Sequence, residues 1–203
     1  EKSFNDFQPI NTAKIVTCHV YTGGHRRLAN MGQQVYEANG CASCHTMQVR
    51  MRGYGRDLER GWGARNTVLT DFVYDDQVFL GQTRVGPDLA NVGARLPDKT
   101  WQLLHLYNPR ITVPDSLMPQ YPYLFEERKI GNRPSPNALP VEEKFRDPGV
   151  EIVPTREAEA LAEYLLSLRT ETPLFEAPLN PMPKIETNQT AQAASTTPEA
   201  QKQ

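Results

Sequence analysis

The sequence predicts a mainly α fold with long irregular loops, and three observations carry that prediction. The segment "TREAEALAEYLLSLR", Thr155 to Arg169, places Ala158, Leu161, Leu165 and Leu168 on one stripe at helical spacing. A shorter segment, "NMGQQVYEAN", residues 30–39, repeats that spacing with Met31, Val35 and Ala38. Seventeen prolines in 203 residues interrupt much of the remainder, because proline fixes φ and removes a backbone donor. That length suits one domain with extensions, or two small ones.

Composition narrows the function. Hydrophobic residues make up 38% and charged residues 23%, enough for a modest packed core. A net charge of -2 argues against a general nucleic-acid binder and against a surface drawn to anionic lipid. No stretch reaches the roughly 18 apolar residues that a membrane-spanning helix needs. The chain begins at Glu1, and an export signal or membrane anchor is expected upstream. The three cysteines, Cys18, Cys41 and Cys44, are an odd number and too few for a disulfide framework.

Taken in order, residues 1–29 show little periodicity and read as a loop-rich N-terminal extension holding Cys18, His19 and His25. Asn30 is the expected N-cap of the first helix and Gly40 its C-terminal stop. Residues 41–84 read as mostly irregular, with "TDFVYDDQVFLG" a loop or short strand. Gly86-Pro87 signals a turn, and Asp88 to Val92 has the length of one helical turn. Asp98 should cap a helix that carries Trp101, Leu104 and His105 on one side and ends at Asn108-Pro109. Residues 111–155 are proline-rich and read as a long loop or insertion. Thr155 caps the strongest helix. Beyond Thr170 the composition turns to Pro, Thr, Gln and Ala, so residues 171–203 read as an extended arm followed by disorder. The organisation expected is therefore extension 1–29, domain 30–170 and tail 171–203.

Chemistry concentrates in "CASCH". Cys41 and Cys44 lie about one turn apart and His45 follows at once. That spacing is the signature of c-type haem attachment: two thiols meet the two vinyl groups, and the histidine is placed beneath the iron. A zinc site would need a second ligand pair at similar spacing, which Cys18, His19 and His25 do not form. A thioredoxin-like thiol pair would follow a strand in an α/β chain.

A haem iron in an electron-transfer protein is commonly held by His and Met. Met47 and Met51 lie too close to His45 in sequence to reach the opposite face, Met182 is in the tail, and Met31 reads as a core residue. Met118, in "SLMPQYPY", is stiffened by Pro119 and Pro122 and is the favoured distal ligand. Gly86-Pro87 is either a plain turn or the source of a carbonyl that receives the second N–H of His45. Eight arginines, Arg50, Arg52, Arg56, Arg60, Arg65, Arg84, Arg95 and Arg110, are candidate partners for haem propionates, of which one or two are expected to serve. Cys18-His19 resembles half a haem motif without its first cysteine and reads as a free or buried thiol in the extension.

Together "GCASCHTMQVR", "DFVYDDQVFLGQTRVGPDLANVGAR", "HLYNPRITVPDSLMPQYPYL" and the terminal "ALAEYLLSLR" resemble the mono-haem cytochrome c subunit of the cbb-type haem–copper oxidases over roughly residues 30–170. The resemblance implies a class I cytochrome c fold and one covalent haem c. Thioether positions fall at Cys41 and Cys44, the proximal ligand at His45, the distal ligand at Met118 and the accepting carbonyl at Pro87. It further implies single-electron transfer from another c-type cytochrome to a membrane-embedded oxidase catalytic subunit, on the periplasmic side of the inner membrane. The chain would pass electrons without itself reducing oxygen. Family members carry an N-terminal membrane anchor, so attachment is expected through a missing anchor or through partner subunits. The alternatives are a free or differently docked periplasmic carrier, and a peroxidase-like haem protein. The latter needs an acid–base group above the iron, for which His105 is the remaining candidate on a helix that reads as structural.

Overall fold

A computed structural model describes residues 23–177 except 73, 74, 76 and 176. Cys18, His19, Met182 and the stretches 1–22 and 178–203 lie outside the described residues. The described chain is mainly α, with α1 (Gly23–Ala38), α2 (Val92–Arg95), α3 (Lys99–Tyr107), α4 (Pro109–Thr112) and α5 (Arg156–Ser167), and one small sheet of β1 (Phe125–Lys129) and β2 (Val150–Pro154). Among the described residues no helix is long and apolar enough to cross a membrane.

α1 and α5 form the frame. Tyr36 meets Tyr164 edge-on, with ring centroids 5.5 Å apart, and Val35 packs against the same core. The α5 stripe behaves as its spacing predicts: Ala158, Leu161, Leu165 and Leu168 are all buried. Thr155 caps the helix, its side chain accepting from Ala158 N. Asp98 caps α3 by accepting from Thr100 N.

Two differences from expectation stand out. Asn30 is not an N-cap; α1 starts seven residues earlier, at Gly23, and Asn30 lies exposed within it. The early turns, "GGHRRLAN", carry almost no apolar stripe, so periodicity could not reveal them. The proline-rich stretch 111–155 is also not all loop. β1 and β2 pair antiparallel within it, Phe125 opposite Pro154 and Lys129 opposite Val150. β1 reads "FEERK" and buries only Phe125, so it lacks both the alternation and the β-branched residues that announce a strand. Its charges suit an edge strand, where they oppose pairing with other chains.

Among the described residues of 69–80 the one regular element is a 3₁₀ turn, Leu69–Phe72, and the turn after Pro87 becomes helical only at Val92. The irregular region 46–71 is held by side chains in place of a backbone ladder. Asp57, fully buried, accepts from Arg50 N at 2.8 Å and from Arg84 Nη1 at 2.6 Å. Asp88, also fully buried, accepts from Thr46 Oγ1 at 2.6 Å, Gln48 N at 2.7 Å and Ala90 N at 2.9 Å.

Candidate functional site

Gly40 ends α1 with a φ of 63°, a left-handed conformation that glycine adopts without steric cost. The chain then makes a 3₁₀ turn, Cys41–Ser43, and continues so that His45 N donates to Cys41 O at 3.1 Å. Cys41, Cys44 and His45 therefore lie along one helical turn, as their spacing requires.

A second segment lies along this turn. Gln82 N donates to Ala42 O (3.1 Å), Gly86 N to Cys44 O (3.1 Å) and Leu89 N to Thr46 O (2.8 Å). These bonds bring Pro87 beside the imidazole, and His45 Nδ1 donates to Pro87 O at 2.8 Å. A carbonyl only accepts, so this bond places the proton on Nδ1 and leaves Nε2 with its lone pair. Of the two readings of Gly86-Pro87, the structure shows the carbonyl contact. The approach depends on Gly86, where a Cβ would lie 2.2 Å from His45 Cε1.

His45 opens onto a partly open cavity. Cofactor sites are concave and mostly apolar. This wall is apolar with few polar groups: Tyr36, Cys41, Pro87, Leu89, Val92, Leu96, Trp101, Leu106, Met118, Leu161 and Leu165, with Arg95, Gln102 and His105. Thus Cys41, His45, Pro87 and Met118, four residues singled out in the sequence, share one cavity across a separation of some 77 positions in the chain. Cys44 sits in the adjoining turn, half-buried, its Sγ 3.7 Å from Ser43 Oγ.

Two buried polar atoms of this wall, Tyr36 Oη and Arg95 Nε, have no hydrogen-bond partner among the described residues. Such groups cost about 1–3 kcal/mol when left unpaired, so their presence at a cavity marks a place for a polar ligand group. A haem fits both requirements. Its ring would fill the apolar space between His45 and Met118, and a propionate would meet Arg95.

The eight arginines separate clearly. Arg50 and Arg84 hold Asp57, and Arg65 holds Asp71. Arg60 lies over the Trp62 ring, 4.9 Å from its centroid. Arg52, Arg56 and Arg110 are exposed. Arg95 alone of the eight lines the cavity, and it makes no salt bridge among the described residues. Its Nη2 donates to the backbone O of Asp88 at 2.7 Å, and burial pushes against its charge.

Burial pushes the Cys41 thiol up to about 11, opposite to the depression that makes a reactive thiolate or a ready zinc ligand. Among the described residues no group of three or more His, Cys, Asp or Glu stands together as a metal site.

His105, which read as structural, is in the cavity wall. It stacks on Trp101, centroids 4.8 Å apart and planes within 9°. Burial, then the nearby His45, holds it down at about 4, against an ordinary 6.5. The unfolded chain therefore takes up this proton first as pH falls. The stability that His105 contributes is complete above pH ~6.5 and is lost progressively toward pH ~4, by about 3 kcal/mol at 1.36 kcal/mol per unit. Thermal unfolding across that range should show the slope, and His105→Gln should flatten it. Asp57, held below the usual carboxylate range by Arg50 and Arg84 despite its burial, acts only at lower pH.

No curated protein matches the chain. The family model described as "Cytochrome C oxidase, mono-heme subunit/FixO" matches residues 8–146. The matched span includes all five site residues, part of the stretch read as an N-terminal extension and most of the region around β1, and it stops before α5. By that match over more than half its length, the chain belongs to the FixO family of mono-haem cytochrome c oxidase subunits.

Proposed function

We propose that this chain carries one covalent haem c in the cavity bounded by His45 and Met118, within a class I cytochrome c fold, and passes single electrons into its oxidase. The observation that carries the reading is the shared cavity. An imidazole whose Nε2 is freed by the Nδ1 bond to Pro87, a thioether and an attachment cysteine open onto one apolar space, with an unpaired cation in its wall. Bound there, the haem supplies one-electron redox chemistry.

The chain's residues do the rest. Cys41 and Cys44 would tether the haem, and His45 and Met118 would hold its iron. Leu89, Val92, Leu161 and Leu165 exclude water, which limits reorganisation. Pro87 fixes the imidazole and Arg95 faces a propionate. The donor is another c-type cytochrome and the acceptor a membrane-embedded oxidase subunit. In this reading the domain works on the periplasmic side of the inner membrane, held by an anchor or by partner subunits.

The test is the intact mass of the denatured protein, made in a host that attaches haem, with visible spectra before and after dithionite. One covalent haem and a low-spin reduced spectrum are expected. No covalent haem would sink the reading.

Arg95 gives a finer check. A cation beside the haem favours the reduced form, which carries one positive charge fewer, so Arg95→Gln should lower the reduction potential. An interaction of about 1–2 kcal/mol, reasonable for a partly screened charge pair, corresponds to roughly 40–90 mV for one electron. Arg52→Gln, at an exposed position, should leave the potential unchanged in the same titration.

A further inference from the structure

The cavity holds a second histidine prepared in the same way as the first. Thr112 Oγ1 donates its only hydrogen to Pro109 O at 3.1 Å. With that hydrogen on Pro109 O, the hydroxyl oxygen accepts from His105 Nδ1, 2.5 Å away. This bond places the proton of His105 on Nδ1 and leaves Nε2 with a lone pair, as Pro87 does for His45. Stacking on Trp101 fixes the plane of the ring. A neutral imidazole with Nδ1 tied to an acceptor is the form in which histidine serves as a metal ligand.

His105 is also tied to the segment that carries Met118. The strap from Thr112 to Tyr121 is anchored to α3 at both ends: by His105–Thr112 at its start, and by Tyr121 N donating to Leu106 O at 3.1 Å at its end. Between those anchors the strap is lightly held. Val113 and Leu117 are exposed, and Met118 N reaches only Ser116 Oγ at 3.3 Å. The thioether is thus presented by a strap with few hydrogen bonds to the rest of the molecule between its two anchors, and the imidazole by α3.

We propose that His105 is a reserve axial ligand: when Met118 leaves the haem iron, His105 Nε2 takes its place and converts the site from imidazole–thioether to bis-imidazole ligation. The proposal rests on the haem reading above. It gives the chain a second, lower-potential state reached by movement of one strap, since thioether ligation raises the potential relative to imidazole.

The experiment uses the holo-protein and two variants, Met118→Ala and Met118→Ala/His105→Ala, read by visible absorption, electron paramagnetic resonance and magnetic circular dichroism in the ferric state. Met118→Ala is expected to remain low-spin with a bis-imidazole signature, and the double variant to become high-spin. A high-spin Met118→Ala protein overturns the proposal. So does a low-spin signature that survives in the double variant, which would assign the ligand to another group. Covalent haem in these samples shows that the haem reading stands whichever way the spin state falls; its absence in the wild type removes both. If Met118→Ala does not accumulate, the wild type is titrated with guanidinium below its unfolding midpoint, where the weaker thioether bond opens first. A bis-imidazole spectrum is expected there, and its persistence in His105→Gln overturns the proposal.

Discussion

Gly32→Ala should lower the melting temperature by roughly 6–12 °C, a loss of about 3 kcal/mol at ~2–4 °C per kcal/mol for a chain of this size. Helix propensity alone points the other way. Gly32 lies inside α1, where alanine is favoured over glycine by about 1 kcal/mol. The crossing with α5 reverses the sign. A Cβ at position 32 would lie 2.0 Å from Ala160 O, 2.5 Å from Ala160 C and 2.7 Å from Tyr164 Cβ. Two of those atoms are backbone of α5, so no rotamer change relieves the overlap and the two helices must separate. Gly93 meets Leu166 O at the same 2.0 Å, so α5 is approached by glycine from two sides. Because α1 leads directly into Cys41, parting the frame also shifts the Cys41–His45 turn, and the yield of holo-protein should fall with the melting temperature. Gly131→Ala, where a Cβ would meet nothing within 4 Å, is the matched control and should be near neutral by scanning calorimetry.

Local signals in the sequence predicted what local forces build. Thr155 and Asp98 cap the helices expected of them because a short polar side chain before an apolar stripe satisfies orphan amides wherever the fold goes. The CASCH turn was legible because its three residues carry their spacing within five positions, and the structure places them along one turn. Met118 could be chosen by elimination, and the structure brings it to the cavity of His45. The arginines could not be sorted. Arg50, Arg84, Arg65 and Arg95 are alike in sequence, and only the positions of Asp57, Asp71 and the cavity separate cations that hold the chain from the one that lines the cavity. The position of His105 in a cavity wall could not be read for a related reason. Helical spacing shows that Trp101 and His105 share a side of α3, not that this side faces a cavity. The strands escaped because β1 buries one residue in five, leaving no pattern to read.

The strongest test of this non-local wiring is at Asp71, whose loss should cost about 3–5 kcal/mol, the usual penalty for leaving a buried charge unpaired. Arg65 is completely buried and Asp71 nearly so. Asp71 receives both ends of the guanidinium, Nη1 to Oδ2 at 2.8 Å and Nη2 to Oδ1 at 2.5 Å, and also Val68 N at 3.0 Å. Arg65 Nη1 also reaches Asn66 O at 3.0 Å, and Nε reaches Thr172 O at 2.7 Å and so ties the segment after α5 to the irregular region near the site. Asp71→Ala strands a buried cation and a backbone amide, and should lower the melting temperature by about 10 °C or more. The penalty belongs to the broken pair and not to the absence of charge. Arg65→Met/Asp71→Leu, which removes both partners and fills their space with apolar atoms, should therefore recover much of the loss. The two variants should differ at the C-terminal segment as well. Without Arg65 Nε nothing holds Thr172 O from that side, so limited proteolysis near residue 172 should be faster in the double variant even as its melting temperature rises above that of Asp71→Ala. A melting temperature in the double variant no higher than in the single one would mean that the guanidinium's bonds to Thr172 and Asn66, not its charge balance with Asp71, hold this side of the molecule.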